Sequence, residues 1–264
     1  MNPGDLGLDL VRPLAGGDVN RAALVRRHGE LFFLKWNEDP PPGLFSCEAA
    51  GLEALRATKA IGVPEVVDHG ESHLLLEYLP PSPMDGKDLG RALVALHRAP
   101  QQARYGFDHD NYLATLPQDN TPDRDWARFW ADRRLAPLLP RLPASLRPGL
   151  EAMLLRLSEL LPAAPPASLL HGDLWSGNVM GSEGRSFLVD PAVAVGDREV
   201  DLAMAALFGG FPHGFEQAVT RAWPLEPGWR ERRPLYQLYY LLVHVILFGG
   251  GYVHQAANIL ASFT

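Results

Sequence analysis

The chain has 264 residues, 47% hydrophobic and 21% charged, enough for one large domain or two packed lobes around a substantial core. Its net charge of −7 argues against a nucleic-acid partner, which needs a basic face to meet phosphates. The lone Cys47 rules out an intrachain disulfide framework and suits a reducing cytosol.

The opening residues 1–9 are polar and have no signal-like character. Residues 8–14, 19–26 and 30–36 have β character, separated by the turn signals Gly16-Gly17 and His28-Gly29. From Phe45 to Thr58 apolar residues recur at helical spacing, as Ala49, Leu52 and Leu55. Strands near 65–68 and 73–79 lead into Pro80-Pro81-Ser82-Pro83. That break is the strongest boundary signal and, being short, reads as a hinge between residues 1–80 and 81–264. Beyond it the chain is mostly helical, with apolar stripes at 85–96, 123–135, 146–161, 200–208 and 229–248 and an irregular stretch at 100–121. The longest apolar run, 235–248, is broken by Gln237 and His244 and is too short and polar to span a bilayer. The expectation is a soluble, cytoplasmic protein with no membrane partner.

The densest polar motif is His171-Gly172-Asp173-Leu174-Trp175-Ser176-Gly177-Asn178, followed twelve residues after Asn178 by Asp190. Two carboxylates and an amide at this spacing match kinase-like phosphotransfer. Asp173 takes a proton from an attacking hydroxyl, and Asn178 and Asp190 hold magnesium against the nucleotide phosphates. His171 reads as a brace for the loop. Trp175, mid-loop, either stacks on a sugar-like substrate, the favoured reading, or plugs the lobe behind it. Zinc is not expected, with one Cys and no His-x-x-x-His pair nearby.

Lys35 lies in the apolar strand Phe32-Phe33-Leu34-Lys35-Trp36, where a cation is costly without a partner. It would grip the α- and β-phosphates of ATP while pairing with a carboxylate of the next helix, Glu48 in preference to Glu53. Gly16 and Gly17 form a turn whose amides can cover phosphates, although the full G-x-G-x-x-G pattern is lacking. Glu77, Tyr78 and Leu79 enter the hinge and offer backbone groups to an adenine edge. Asp197 and Asp201 read as anchors of the catalytic loop and caps of the next helix. Arg198 or Glu199 is a less favoured substrate contact.

Together these residues resemble the fructosamine kinase (ketosamine-3-kinase) family, a branch of the aminoglycoside phosphotransferase-like, protein-kinase-related fold. The resemblance covers nearly the whole chain. It rests on 170–178, on Asp190-Pro191-Ala192-Val193 running into 196–204, and on Tyr105-Gly106-Phe107 through Asp110-Asn111-Tyr112 to Phe129. The tail from Tyr236 to Tyr252 is also similar. The resemblance implies an α+β bilobal fold, with a small antiparallel-sheet lobe carrying one helix and a larger helical lobe. ATP and magnesium would lie between them, with Asp173 as base, Asn178 and Asp190 as metal ligands, and Lys35 positioned by Glu48. It implies phosphorylation of the C3 hydroxyl of a ketosamine, free or on a glycated protein lysine, followed by elimination that releases the amine. Some members carry a cysteine in the Gly-rich loop; Asp18 stands in this chain's loop, and Cys47 reads as a small core residue. Two other readings stay open: a kinase for an amino-sugar or choline-like hydroxyl, and a nucleotide-binding module without chemistry. A protein kinase is disfavoured, because Asp-Phe-Gly and Ala-Pro-Glu elements are missing. Oligomeric state is not legible.

Overall fold

The computed structural model describes residues 3–14 and 20–263. Strands β1 (Asp9–Leu14), β2 (Arg21–Arg27) and β3 (Glu30–Trp36) are antiparallel neighbours, with a turn at the expected His28-Gly29. Helix α1 (Leu44–Ala57) then precedes β4 (Val66–His69) and β5 (His73–Glu77). The five-stranded sheet runs β1-β2-β3-β5-β4, every neighbouring pair antiparallel. Side chains alternate between its faces. One face buries Ala23, Val25, Leu34, Trp36 and Leu75 together with Leu8. The other carries Lys35, Leu74 and Leu76 and is covered by α1, whose Phe45, Ala49, Leu52 and Leu55 form one buried stripe. A lysine on that face must therefore meet the helix.

The proline segment after β5 is tied down, not free. Ser82 donates its backbone N–H to Gly181 O at 2.8 Å, and Ser182 Oγ donates to Pro80 O at 2.9 Å. Helix α2 (Gly86–His97) starts at Asp85, whose side chain accepts the Lys87 and Asp88 N–H groups. A hairpin, β6 (Asn111–Leu113) and β7 (Leu116–Gln118), interrupts the stretch expected to be irregular. Each strand has only three residues, too few for a periodic signal. The helix expected at 123–135 is α3 (Trp126–Trp130), capped by Asp125 and continued by a π-helical turn, Ala131–Leu135. The stripe at 146–161 divides into α4 (Arg147–Leu154) and α5 (Leu157–Leu160), because Leu155 points outward and Arg156 leaves helical geometry.

Strand β8 (Ala167–Leu170) feeds the His171 loop; β9 (Val179–Ser182) and β10 (Arg185–Leu188) carry the chain to Asp190, and β11 (Ala194–Asp197) pairs back on β8. Helices α6 (Glu199–Phe208), α7 (Phe215–Ala222), α8 (Trp229–Phe248) and α9 (Gly251–Ala261) complete the chain. The sequence reading missed α7 and α9, which are short and begin among glycines. The larger core is aromatic, with Trp126, Phe129, Trp130, Tyr236 and Tyr240 buried. Three of the polar tips form a chain: Trp126 Nε1 donates to Tyr236 Oη at 2.9 Å, and Tyr236 Oη donates to Asp197 at 2.7 Å. The α+β bilobal expectation holds. Among the described residues no helix is long and apolar enough to cross a membrane.

Candidate active site

A cavity of about 470 Å³ lies between the sheet and the helical part. Lys35, Glu48, Asp173, Trp175, Asn178 and Asp190 all line it. Lys35 Nζ donates to both Glu48 carboxylate oxygens, at 3.0 and 2.9 Å, and lies 3.2 Å from Asp190 Oδ1. Burial works against the ammonium, but the Asp190 and Glu48 carboxylates outweigh it and hold the Lys35 pKa above its usual value. Glu48, not Glu53, is the helix partner; burial pushes its carboxyl upward against the pull of Lys35.

The loop between β8 and β9 is held from below by a buried carboxylate. Asp201 accepts the backbone N–H groups of His171 at 2.8 Å and Gly172 at 2.9 Å, and its Oδ2 lies 2.9 Å from His97 Nε2. Burial alone would raise the Asp201 pKa; the hydrogen bond and charge of His97 and the loop amides keep it below the usual value. Tyr240 Oη donates to Gly172 O at 2.8 Å. Gly172 has φ of 81°, and a Cβ there would stand 1.9 Å from Ala192 O, so no other residue fits. His171 braces the loop as expected: Nε2 donates to Val189 O at 2.9 Å and Nδ1 accepts Asp173 N–H at 3.2 Å. Burial lowers its pKa, which keeps this neutral tautomer.

Asp173 is thereby presented at the cleft with its pKa pushed up to about 7, first by burial and then by the Asp190 carboxylate. Asn178 Nδ2 donates to Asp173 O at 2.9 Å and to Asp173 Oδ2 at 3.1 Å. Those bonds fix the amide orientation, so Oδ1 remains as acceptor. Asp190 adopts φ of 54°, a left-handed conformation that Asp tolerates better than most residues. Its side chain is 43% exposed.

Gly16 and Gly17 lie outside the described residues. Glu77, Tyr78 and Leu79 follow β3's neighbour strand into the proline segment but do not line this cavity. Glu77 is tied to the entry of β4 instead, its Oε2 accepting Glu65 N–H at 3.0 Å. Trp175 is 40% exposed, and its ring packs over Gly177. Arg198 and Glu199 are turned away: Arg198 donates to the Trp223 and Pro224 carbonyls, and Glu199 pairs with Arg232. Asp197 accepts Glu199 N–H at 3.0 Å, a cap, while Asp201 alone anchors the loop. Cys47 is not a core residue but half-buried at the cavity wall, its thiol donating to Asp110 O at 3.3 Å. The sequence reading assigned no role to His97, Asn111 or Tyr240. His97 lies one position beyond the stripe read at 85–96, as the last residue of α2, and its partner lies 104 positions away.

An antiparallel sheet whose central lysine meets a helix glutamate, set across a cleft from a His-Gly-Asp loop and an Asp two residues past a strand, defines a protein-kinase-like phosphotransferase fold. More narrowly, residues 6–264 match the family model of the fructosamine kinases, and the chain belongs to that family. It is 40% identical to a "probable ketoamine kinase" of Enterococcus faecium, over 96% of this chain and 95% of the relative. It is 43% identical to one of Thermus thermophilus, over 91% and 89%. The crystal structure of a fructosamine-3-kinase candidate from Thermobifida fusca superposes with a TM-score of 0.87 at 33% identity, covering 97% of this chain and 93% of that one.

Proposed function

We propose that the protein is an ATP-dependent kinase that phosphorylates the C3 hydroxyl of ketosamines. The observation that carries this reading is the convergence of Lys35, Glu48, Asp173, Asn178 and Asp190 on one cavity in a member of this family. Residues 1–80 would form the nucleotide-binding lobe and 81–264 the catalytic and substrate-binding lobe. Lys35, kept cationic by two carboxylates, would neutralise the nucleotide phosphates. Glu77, Tyr78 and Leu79 would serve the adenine edge, and Gly16 and Gly17 would cover the phosphates.

Asp173 would accept the proton of the attacking hydroxyl as its oxygen bonds to the γ-phosphorus and ADP departs. A pKa of about 7 suits a base working near neutrality. Asn178 Oδ1 and Asp190 fit a magnesium ion: both are hard oxygen donors beside the phosphate-gripping lysine. Among the described residues no cluster of three or more His, Cys, Asp or Glu could hold a metal alone. Asn178 and Asp190 would hold the ion, which would offset charge on the transferred group. The phosphate at C3 then stands beside an enolisable carbonyl and can leave by elimination, after which water hydrolyses the imine left at C1 and frees the amine.

The test is ATP consumption with magnesium, with and without a simple ketoamine, followed by the mass and site of phosphorylation of the product. Ketoamine-dependent transfer to C3, lost by at least about a hundredfold in Asp173→Asn, is the expected result. ATP binding without transfer to any ketoamine would overturn the substrate assignment.

A further inference from the structure

Beside its charged groups the cavity has an aromatic part, built from the ends of α6 and α8 and the start of α9. Among the described residues, the Asp, Glu, Lys and Arg side chains that line the cavity are Lys35, Glu48, Asp173 and Asp190. A cluster of rings also lines it: Trp175, Phe208, His244, Phe248 and Tyr252. His244 is the centre of the group, with ring centroids 5.1 Å from Phe208, 5.6 Å from Phe248 and 4.9 Å from Tyr252. Its Nδ1 donates to Tyr240 O at 2.7 Å, so in the neutral ring Nε2 presents a lone pair.

Two copies of one local device build this cluster. Helix α6 ends in Phe208-Gly209-Gly210 and helix α8 in Phe248-Gly249-Gly250, all four glycines at positive φ. The glycines stop each helix immediately after a phenylalanine, which leaves the ring at the helix tip. The two rings are 41% and 51% exposed, and Trp175 is 40% exposed. Three of the largest exposed apolar side chains among the described residues thus share one cavity mouth, which marks a contact surface and not chance exposure.

We infer that this aromatic mouth is the subsite for the amine arm of the substrate, and that it selects by charge. It takes a protonated secondary amine with a neutral apolar substituent and rejects a substituent bearing a carboxylate. Ring faces are negative and attract an ammonium, while they repel an anion. Among the described residues no Lys or Arg but Lys35, already paired with Glu48 and Asp190, lines the cavity to meet a carboxylate, which would lose its water without compensation. The inference rests on the ketoamine reading above for the identity of the arm.

The test compares an N-benzyl ketoamine with its 4-carboxybenzyl counterpart, identical at the reacting sugar. The neutral arm is expected to have at least about tenfold higher kcat/KM, carried by KM. In Phe248→Arg the gap should narrow, because the new guanidinium meets the carboxylate. Binding of benzyltrimethylammonium, followed by ligand-observed NMR without ATP, should weaken in Phe248→Leu, which keeps bulk but removes the ring. Equal kcat/KM for the two ketoamines would overturn the subsite and leave the kinase reading standing. Turnover of neither, with benzyltrimethylammonium binding still dependent on Phe248, would uphold the subsite and overturn the ketoamine reading. Neither turnover nor binding would overturn both.

Discussion

Replacing Asp173 with Asn is expected to stabilise the protein while removing its activity, by an amount that grows with pH. Burial, and next the Asp190 charge, push the folded-state pKa of Asp173 up to about 7 from an ordinary 3.8. The folded state then holds a proton that the unfolded chain has already released. Such a group's favourable contribution is complete below pH 3.8 and is lost as pH rises toward 7, so wild-type stability falls through that window. The gap of about three pKa units is worth at most about 4 kcal/mol at pH 8 and less than about 2 kcal/mol at pH 5. Asn carries no charge at either pH and can still accept the bond from Asn178 Nδ2. At about 2–4 °C per kcal/mol for a chain of this size, the Asn variant should melt roughly 10 °C above wild type at pH 8 and only a few degrees above it at pH 5. Thermal unfolding of both proteins from pH 5 to 8.5, without nucleotide or metal, measures this. A variant whose advantage does not grow with pH would refute the burial-and-repulsion account of Asp173. The same shift predicts that wild-type turnover rises with pH through about 7 as Asp173 ionises.

Asp201→Asn should cost about 2–4 kcal/mol, since one of the His171 and Gly172 amides must then face an N–H₂ in a buried site; urea unfolding and turnover should fall together. Gly172→Ala places a Cβ 1.9 Å from Ala192 O at a φ of 81°, and should yield protein that is inactive and unfolds well below wild type in a thermal melt. Lys35→Met leaves Glu48 and Asp190 without their cation, and a loss of about 3–5 kcal/mol is expected at pH 8, smaller at pH 5 where buried Glu48 takes up a proton. Chelation of magnesium should abolish turnover in wild type and be reversed by added metal, with the concentration needed rising in Asn178→Leu.

Much of the fold is legible in local sequence, and the reasons are particular. Strands 21–27 and 30–36 carry β-forming residues around a His-Gly turn, and α1 carries an apolar stripe at helical spacing, so period alone identifies them. The His171–Asn178 motif and Asp190 are informative because phosphotransfer needs those groups at that spacing, in a loop and just past the hairpin that follows it. The pairing of Lys35 with Glu48 follows from the same logic, since a lysine on a covered sheet face needs a carboxylate from the covering helix. Short elements escaped: three-residue strands in β6 and β7 cannot show a period, and the π-helical turn after α3 breaks the helical one.

What local sequence determined, then, is which segments are strands and helices and which polar groups belong to a phosphotransfer motif, because both depend on neighbours within about twenty positions. Only the tertiary structure decided what holds and surrounds that motif. Asp201 reaches the His171 loop from 30 positions away, and His97 reaches Asp201 from 104 positions away. The aromatic mouth joins the tips of α6 and α8, which a count along the chain would never bring together. Burial of Asp173, which sets its proton affinity, likewise comes from packing of the whole lobe around the loop. Desolvation and long-range hydrogen bonds are properties of the packed chain, and no window of sequence contains them.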